Sequence, residues 1–186
     1  MKTGFIFIAL VCAAASRVPA QTSADMQAGH HHGSHGMMST YIGDERREIK
    51  SLSQSDVDGL LNGEGLGMAR AAELNHYPGP RHVLDAGEQL GITPDQRKAI
   101  EGSFDRMREE AVRLGGLIVE RERTLDSSFV SGTATPESVR GLTREIAELS
   151  GRLRSVHLTA HIEVRAALTP RQIESYDRLR GYAGHN

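Results

Sequence analysis

The chain has 186 residues, with 22 Lys and Arg against 24 Asp and Glu, a formal charge of -2, no tryptophan and only 4% aromatic residues. This length allows one domain plus tails, and the acidic balance lacks the basic footprint of a nucleic-acid binder. So few aromatic residues suit long helices packed along thin aliphatic seams better than a globule with a large core.

Residues 1–20 have the order of a secretory signal: Lys2, an apolar stretch from Phe5 to Ala15, then Val18-Pro19-Ala20 as the cleavage site. The stretch is too short to span a bilayer. Ala9-Leu10-Val11 before Cys12 lacks the small residue of a lipoprotein signal, so no lipid anchor is expected. Cys12 is the only cysteine, and cleavage after Ala20 removes it. Disulfides, thiolate metal sites and cysteine catalysis are then excluded. Cleavage also removes Lys2 and Arg17, taking the basic residues from 22 to 20 and the charge from -2 to -4. The mature chain is expected in the periplasm.

Residues 21–40 hold Gly29-His30-His31-His32-Gly33-Ser34-His35-Gly36-Met37-Met38 with no periodicity, the composition of a disordered arm. Its imidazoles and thioethers suit copper, nickel or zinc. A solvated linker is the alternative. Residues 41–79 predict short helices and linker. Ser53 or Ser55 caps a helix through Val57, Leu60 and Leu61 that Asn62-Gly63 ends. Gly63, Gly65 and Gly67 loosen the next stretch, Met68 to Leu74 predicts a further helix, and Asn75-His76-Tyr77-Pro78-Gly79-Pro80 breaks it.

Pro80 starts a helix through Val83, Leu84 and Leu90, with Gly91 as its stop. Thr93-Pro94-Asp95-Gln96 then combines an N-cap threonine, a proline at the first helical position and a glutamine placed to close a capping box. Thr169-Pro170-Arg171-Gln172 repeats the device, and Thr135-Pro136-Glu137-Ser138 is a weaker copy. Two long helices are predicted, from Pro94 to about Ser131 and from Pro136 to about Ala167. Ile100, Phe104, Met107, Ala111, Leu114, Ile118 and Leu125 recur in steps of three and four, broken only at Arg121; so do Val139, Leu142, Ile146, Leu149, Leu153, Val156 and Ala160. The four residues Gly132 to Thr135 make the helices antiparallel neighbours. Pairing Met107 with Ala160, Ala111 with Val156, Leu114 with Leu153 and Leu125 with Leu142 puts the fold-back midway between residues 133 and 134, inside that turn. A last helix from Pro170 to about Tyr182 brings Ile173, Tyr176 and Leu179 or Arg180 to one side and folds back on the hairpin. The fold class is all-α: a long antiparallel helical hairpin with shorter flanking helices.

The two Leu/Ile-Thr-Pro-x-Gln starts, the signal and the hairpin plan together resemble the periplasmic LTxxQ-motif family. That family includes Spy/CpxP-like stress chaperones, the zinc-resistance-associated protein and heavy-metal sensors. The resemblance covers residues 80–182 and extends to Ala71–Pro80. It implies a helical homodimer that works either as an ATP-independent holder of unfolded client proteins or as a sensor for zinc, nickel, cobalt or copper, with a membrane-bound signalling partner. It places the sensor's ligands at His76 and His82 and then at His157 and His161, with a histidine where the family's later pair has a methionine.

From spacing alone, His157 and His161 stand at i and i+4 on one helix face, where two imidazoles can hold one ion. Leu158 follows His157, so this is no His-Glu-x-x-His protease signature. Asp105 and Glu109 on the partner helix have the same spacing, and the hairpin register puts them next to His161 and His157 respectively. A mixed imidazole–carboxylate metal site and two ordinary His–carboxylate pairs on a solvated face both fit. No nucleophile–base spacing and no phosphate loop appears, so an enzyme is not expected. A homodimer partner is expected to cover Leu117, Leu158 and Ile162.

Overall fold

The computed structural model describes residues 39–182. The signal of residues 1–20 and the arm histidines and methionines up to Met38 lie outside the described residues. Among the described residues all regular structure is helical: a 3-10 turn at Asp44–Arg46, then α1 (Gln54–Leu61), α2 (Arg70–Glu73), α3 (Pro80–Asp85), α4 (Gly87–Leu90), α5 (Pro94–Val130), α6 (Pro136–Ala167) and α7 (Pro170–Arg180).

The helix starts follow their sequence chemistry. Thr93, Thr135 and Thr169 each accept from the backbone N–H three residues on, while Gln96, Ser138 and Gln172 reach back to the threonine N–H. Ser53 forms the same reciprocal box with Asp56. Each cap satisfies two donors that the helix itself leaves orphaned. Gly91 and Gly181 end α4 and α7 in the left-handed conformation, at φ 59 and 77. Two expectations need adjusting. The helix predicted over Met68 to Leu74 is confined to Arg70–Glu73, because Gly65 to Met68 makes a separate turn, with the Met68 N–H donating to the Gly65 carbonyl. The helix predicted from Pro80 to Leu90 breaks at Ala86, and Gly87 then lets the Arg97 guanidinium and Ile92 pack directly against the backbone.

α5 and α6 run side by side in opposite directions. Arg106 pairs with Glu163, Arg152 with Glu110 and Arg121 with Glu145, so partners approach the turn from both sides. Arg121, the residue that breaks the apolar pattern, spends its charge on Glu145 and Glu120 at the half-exposed edge of the seam. The seam is fully buried only towards its open end, at Met107, Ala111, Leu114, Ile118, Leu153 and Ala160. Towards the turn, Leu125, Val139, Leu142, Ile146 and Leu149 are half-buried, and Phe129 and Val130 are exposed.

Two apolar clusters hold the fold. In the first, Ile49 and Leu60 close over Ala111, Leu114, Ile118, Val119 and Leu153. The Leu60 backbone approaches α5 so closely that a Cβ at Gly115 would stand 2.6 Å from its carbonyl carbon. In the second, Val83 and Leu90 pack with Ile100, Val164, Leu168 and Tyr176, seating α3, α4 and α7 on the open end of the hairpin. Fully burying an aliphatic side chain contributes roughly 1.5–3 kcal/mol, so the segments before α5 are structural parts of the hairpin rather than appendages. Of the residues reserved for a dimer partner, Leu117 and Leu158 are half-buried within the chain and Ile162 is exposed.

Candidate functional site

α6 carries His157 and His161 on the face turned towards α5 and the loop after α2. Both are buried, at 4% and 9% exposure, which sets aside the solvated-face alternative. The loop is clamped down locally. Arg165 of α6 stacks its guanidinium 4.5 Å from the centre of the Tyr77 ring and donates to the His76 carbonyl. This places the Tyr77 carbonyl oxygen 2.7 Å from His161 Nδ1. A carbonyl only accepts, so Nδ1 carries the proton, and in the neutral ring Nε2 keeps a lone pair. Gly79 lies against that edge: a Cβ there would stand 3.1 Å from His161 Cε1 and 3.3 Å from Nε2.

His157 is one helical turn away, and its Nε2 is buried with no hydrogen-bond partner. Burial, and then the charge of nearby His161, lower its pKa and favour the neutral ring. Both histidines line a cleft of about 830 Å³ walled by the residue 62–67 loop, α2, the start of α3 and one face of α5. Phe104 and Met107 form part of its apolar wall, and Glu73, His82 and Tyr182 also line it.

Glu73 is the polar centre of this region. Its Oε1 accepts from Tyr176 Oη at 2.6 Å and Tyr182 Oη at 3.2 Å, and Arg180 Nε stands 3.3 Å away. Its Oε2 is buried without a hydrogen-bond partner, 3.8 Å from His161 Nδ1. Burial and the hydrogen bond to Glu73 raise the Tyr176 pKa, so the phenol stays protonated and donates. His82 Nδ1 lies 3.4 Å from that phenol oxygen and 3.9 Å from Glu73 Oε1. Desolvation and the Arg180 charge lower the His82 pKa against the opposing pull of Glu73 and Asp85.

The structure therefore gathers His157, His161 and His82 round one cleft and leaves three expected site residues off its walls. His76, at φ 64, pairs through Nδ1 with Asp177 at 2.8 Å and does not line the cleft. Asp105 and Glu109 are exposed and do not line it either. Their numbering is one step off the core register, and one residue turns a helix by about 100°. That step takes them from the face that holds Phe104 and Met107 out to solvent. The carboxylate beside His161 is instead Glu73. No sequence pattern singles it out, although it falls within the stretch Ala71–Pro80. Among the described residues, no group of three or more His, Cys, Asp or Glu side chains is gathered closely enough to hold a metal ion. No family model, curated protein or solved structure matches this chain.

Proposed function

We propose that this chain is a periplasmic metal-binding sensor or resistance protein of the LTxxQ type, taking one zinc, nickel, cobalt or copper ion through His157 and His161. The observation that carries the reading is the hydrogen bond from His161 Nδ1 to the Tyr77 carbonyl. Metal-bound histidines characteristically donate their second ring nitrogen to a carbonyl or carboxylate, which fixes the tautomer and aims the free lone pair. The unpartnered Nε2 of buried His157 and its lowered pKa fit the same role, because a ligand must be deprotonated. The donor set also fits a borderline cation. Two imidazoles come from one face of α6, and Glu73, His82 and the Met107 thioether line the same cleft without being gathered round one point, so the ion is proposed on the two imidazoles alone. Asp105, Glu109 and His76 stand outside this set. The arm residues His30, His31, His32, His35, Met37 and Met38 are proposed as a separate, weaker capture site.

Export by residues 1–20 and assembly as a homodimer through the face bearing exposed Ile162 belong to the same reading. No helix among the described residues is long and apolar enough to cross a membrane; a separate membrane-bound signalling partner is part of the proposal. The role is binding rather than catalysis. A second reading, an ATP-independent chaperone for unfolded clients, draws on the exposed apolar side chains Leu61, Leu66, Leu74, Phe129 and Val130.

Calorimetric titration separates the two readings. The full chain with His30, His31, His32 and His35 all changed to Ala should bind one zinc or nickel ion. Adding His157→Ala and His161→Ala should abolish that binding. Affinity should fall as pH drops through the histidine range near about 6.5. If the chain lacking both helical histidines binds as tightly as its parent, the site is refuted. Suppression of client aggregation by metal-free protein would then favour the chaperone.

A further inference from the structure

We infer that the same cleft is also a binding site for a small amphipathic carboxylate, with the acid at the guanidinium groups of Arg70 and Arg108 and the apolar body against Phe104, Met107 and Leu74. The inference does not rest on metal binding. The volume of about 830 Å³ falls within the roughly 300–1,000 Å³ typical of small-molecule sites. The walls are two-natured, combining apolar side chains from α5 and the loops with arginines that are exposed to solvent.

Charge decides the class of ligand. Arg81 at the cleft is engaged by Asp85, and Glu73 is engaged by Tyr176, Tyr182 and Arg180. Arg70 and Arg108 line the cleft with no ion pair among the described residues, set against the single unengaged wall carboxylate, Glu64. Two free guanidiniums beside an apolar wall favour an anion with a hydrocarbon tail. Arginine presents the forked donors that match a carboxylate.

The lip itself is strained. Leu66 lines the cleft at φ 44, in the left-handed region that a side chain with a Cβ rarely adopts, and is nearly half exposed. Gly63 and Gly67 on either side take positive φ, at 68 and 73, and Glu64 N donates to the Gly59 carbonyl at 2.8 Å. The surrounding turn thus holds a leucine beside the opening against its backbone preference. Strain of this kind concentrates at ligand clamps.

Dodecanoate, used below its micelle concentration with the full chain in EDTA, is the test probe. Calorimetry should show saturable one-to-one binding, with dodecanol at least about tenfold weaker, as expected for loss of a charge-assisted hydrogen bond. The double change Arg70→Gln and Arg108→Gln lies at exposed positions and should leave the helical circular dichroism intact while weakening dodecanoate by about tenfold or more. Phe104→Ala should weaken dodecanoate and dodecanol alike. Failure of dodecanoate to saturate, equal affinity for dodecanol, or an unaffected double variant would each overturn the assignment. Because EDTA removes metal, failure of the metal site leaves these outcomes unchanged.

Discussion

The side-chain amides of Gln96 and Gln172 donate to each other, Nε2 to Oε1 at 2.9 Å and 3.0 Å. Each glutamine also closes the capping box of its own helix, so two motifs that repeat in sequence meet in space. Gln96 Nε2 further donates to the Ala167 carbonyl at 2.8 Å, where α6 ends, and Gln172 Nε2 approaches the Gly91 carbonyl at 3.3 Å. A carboxylate at position 96 would still accept from the Thr93 N–H. It has no proton to donate to Ala167 or Gln172. Gln96→Glu should therefore keep α5 capped yet destabilise the chain by about 1–3 kcal/mol at neutral pH, the cost of leaving half-buried acceptors unmet. Protonation restores a donor, so the deficit against the parent should shrink as pH falls into the carboxylate range. Urea unfolding of both proteins across that range checks the claim, and a pH-independent difference would refute it.

Neighbouring glycines on α5 should respond in opposite directions. At Gly115 a Cβ would run into the Leu60 backbone, which cannot move without lifting α1. At Gly116 a Cβ meets nothing within 4 Å. Gly115→Ala should cost about 1–3 kcal/mol, as overpacking does. Gly116→Ala should gain up to about 1 kcal/mol from helix propensity. Thermal unfolding of the two variants reads the contrast directly.

The hairpin was legible because its apolar steps and its turn constrain each other, and because threonine followed by proline has few uses other than starting a helix. The covering layer was not. Ile49 sits in a stretch with no periodicity, yet it is 2% exposed and anchors the first cluster. The histidine pair is legible from spacing, but the contacts that cover His161 come from Tyr77 and Gly79, in an irregular loop that the sequence marks only as a breaker. Glu73 lies 88 residues from His161, and no local pattern ties the two together. Numbering across an antiparallel pair gives axial neighbours but not helix rotation, which is why Asp105 and Glu109 were matched to imidazoles they do not share a cleft with.

Tyr176 tests whether Glu73 is a structural hub. Its ring is 1% exposed, and its hydroxyl is the closest donor to Glu73. Tyr176→Phe keeps the packing but leaves Glu73 with the longer contacts to Tyr182 and Arg180. A loss of about 1–3 kcal/mol is expected. Faster hydrogen exchange should appear in α2 and in α7, which the carboxylate joins. Exchange that rises uniformly over the chain would argue against a local hub.

His157 gives the pH dependence its sign. Burial, with His161 adding to it, lowers its folded pKa below the unfolded value of about 6.5. The unfolded chain then binds the extra proton, so stability is full above the unfolded pKa and falls as pH drops below it, levelling off once the folded ring is also protonated. His82, lowered by desolvation and by Arg180, acts in the same direction from the rim of the cleft. His157→Leu removes both the titration and the unpartnered buried nitrogen. Its stability relative to the parent should therefore be constant above about pH 7.5 and improve as pH falls through and below about 6.5, whatever the carboxylates contribute to both proteins. Zinc added to the parent should oppose the acid loss, because metal and proton compete for the same lone pair. Urea midpoints over that interval, with and without zinc, measure both effects. A difference between variant and parent that does not change with pH would show that His157 is not held neutral by the fold.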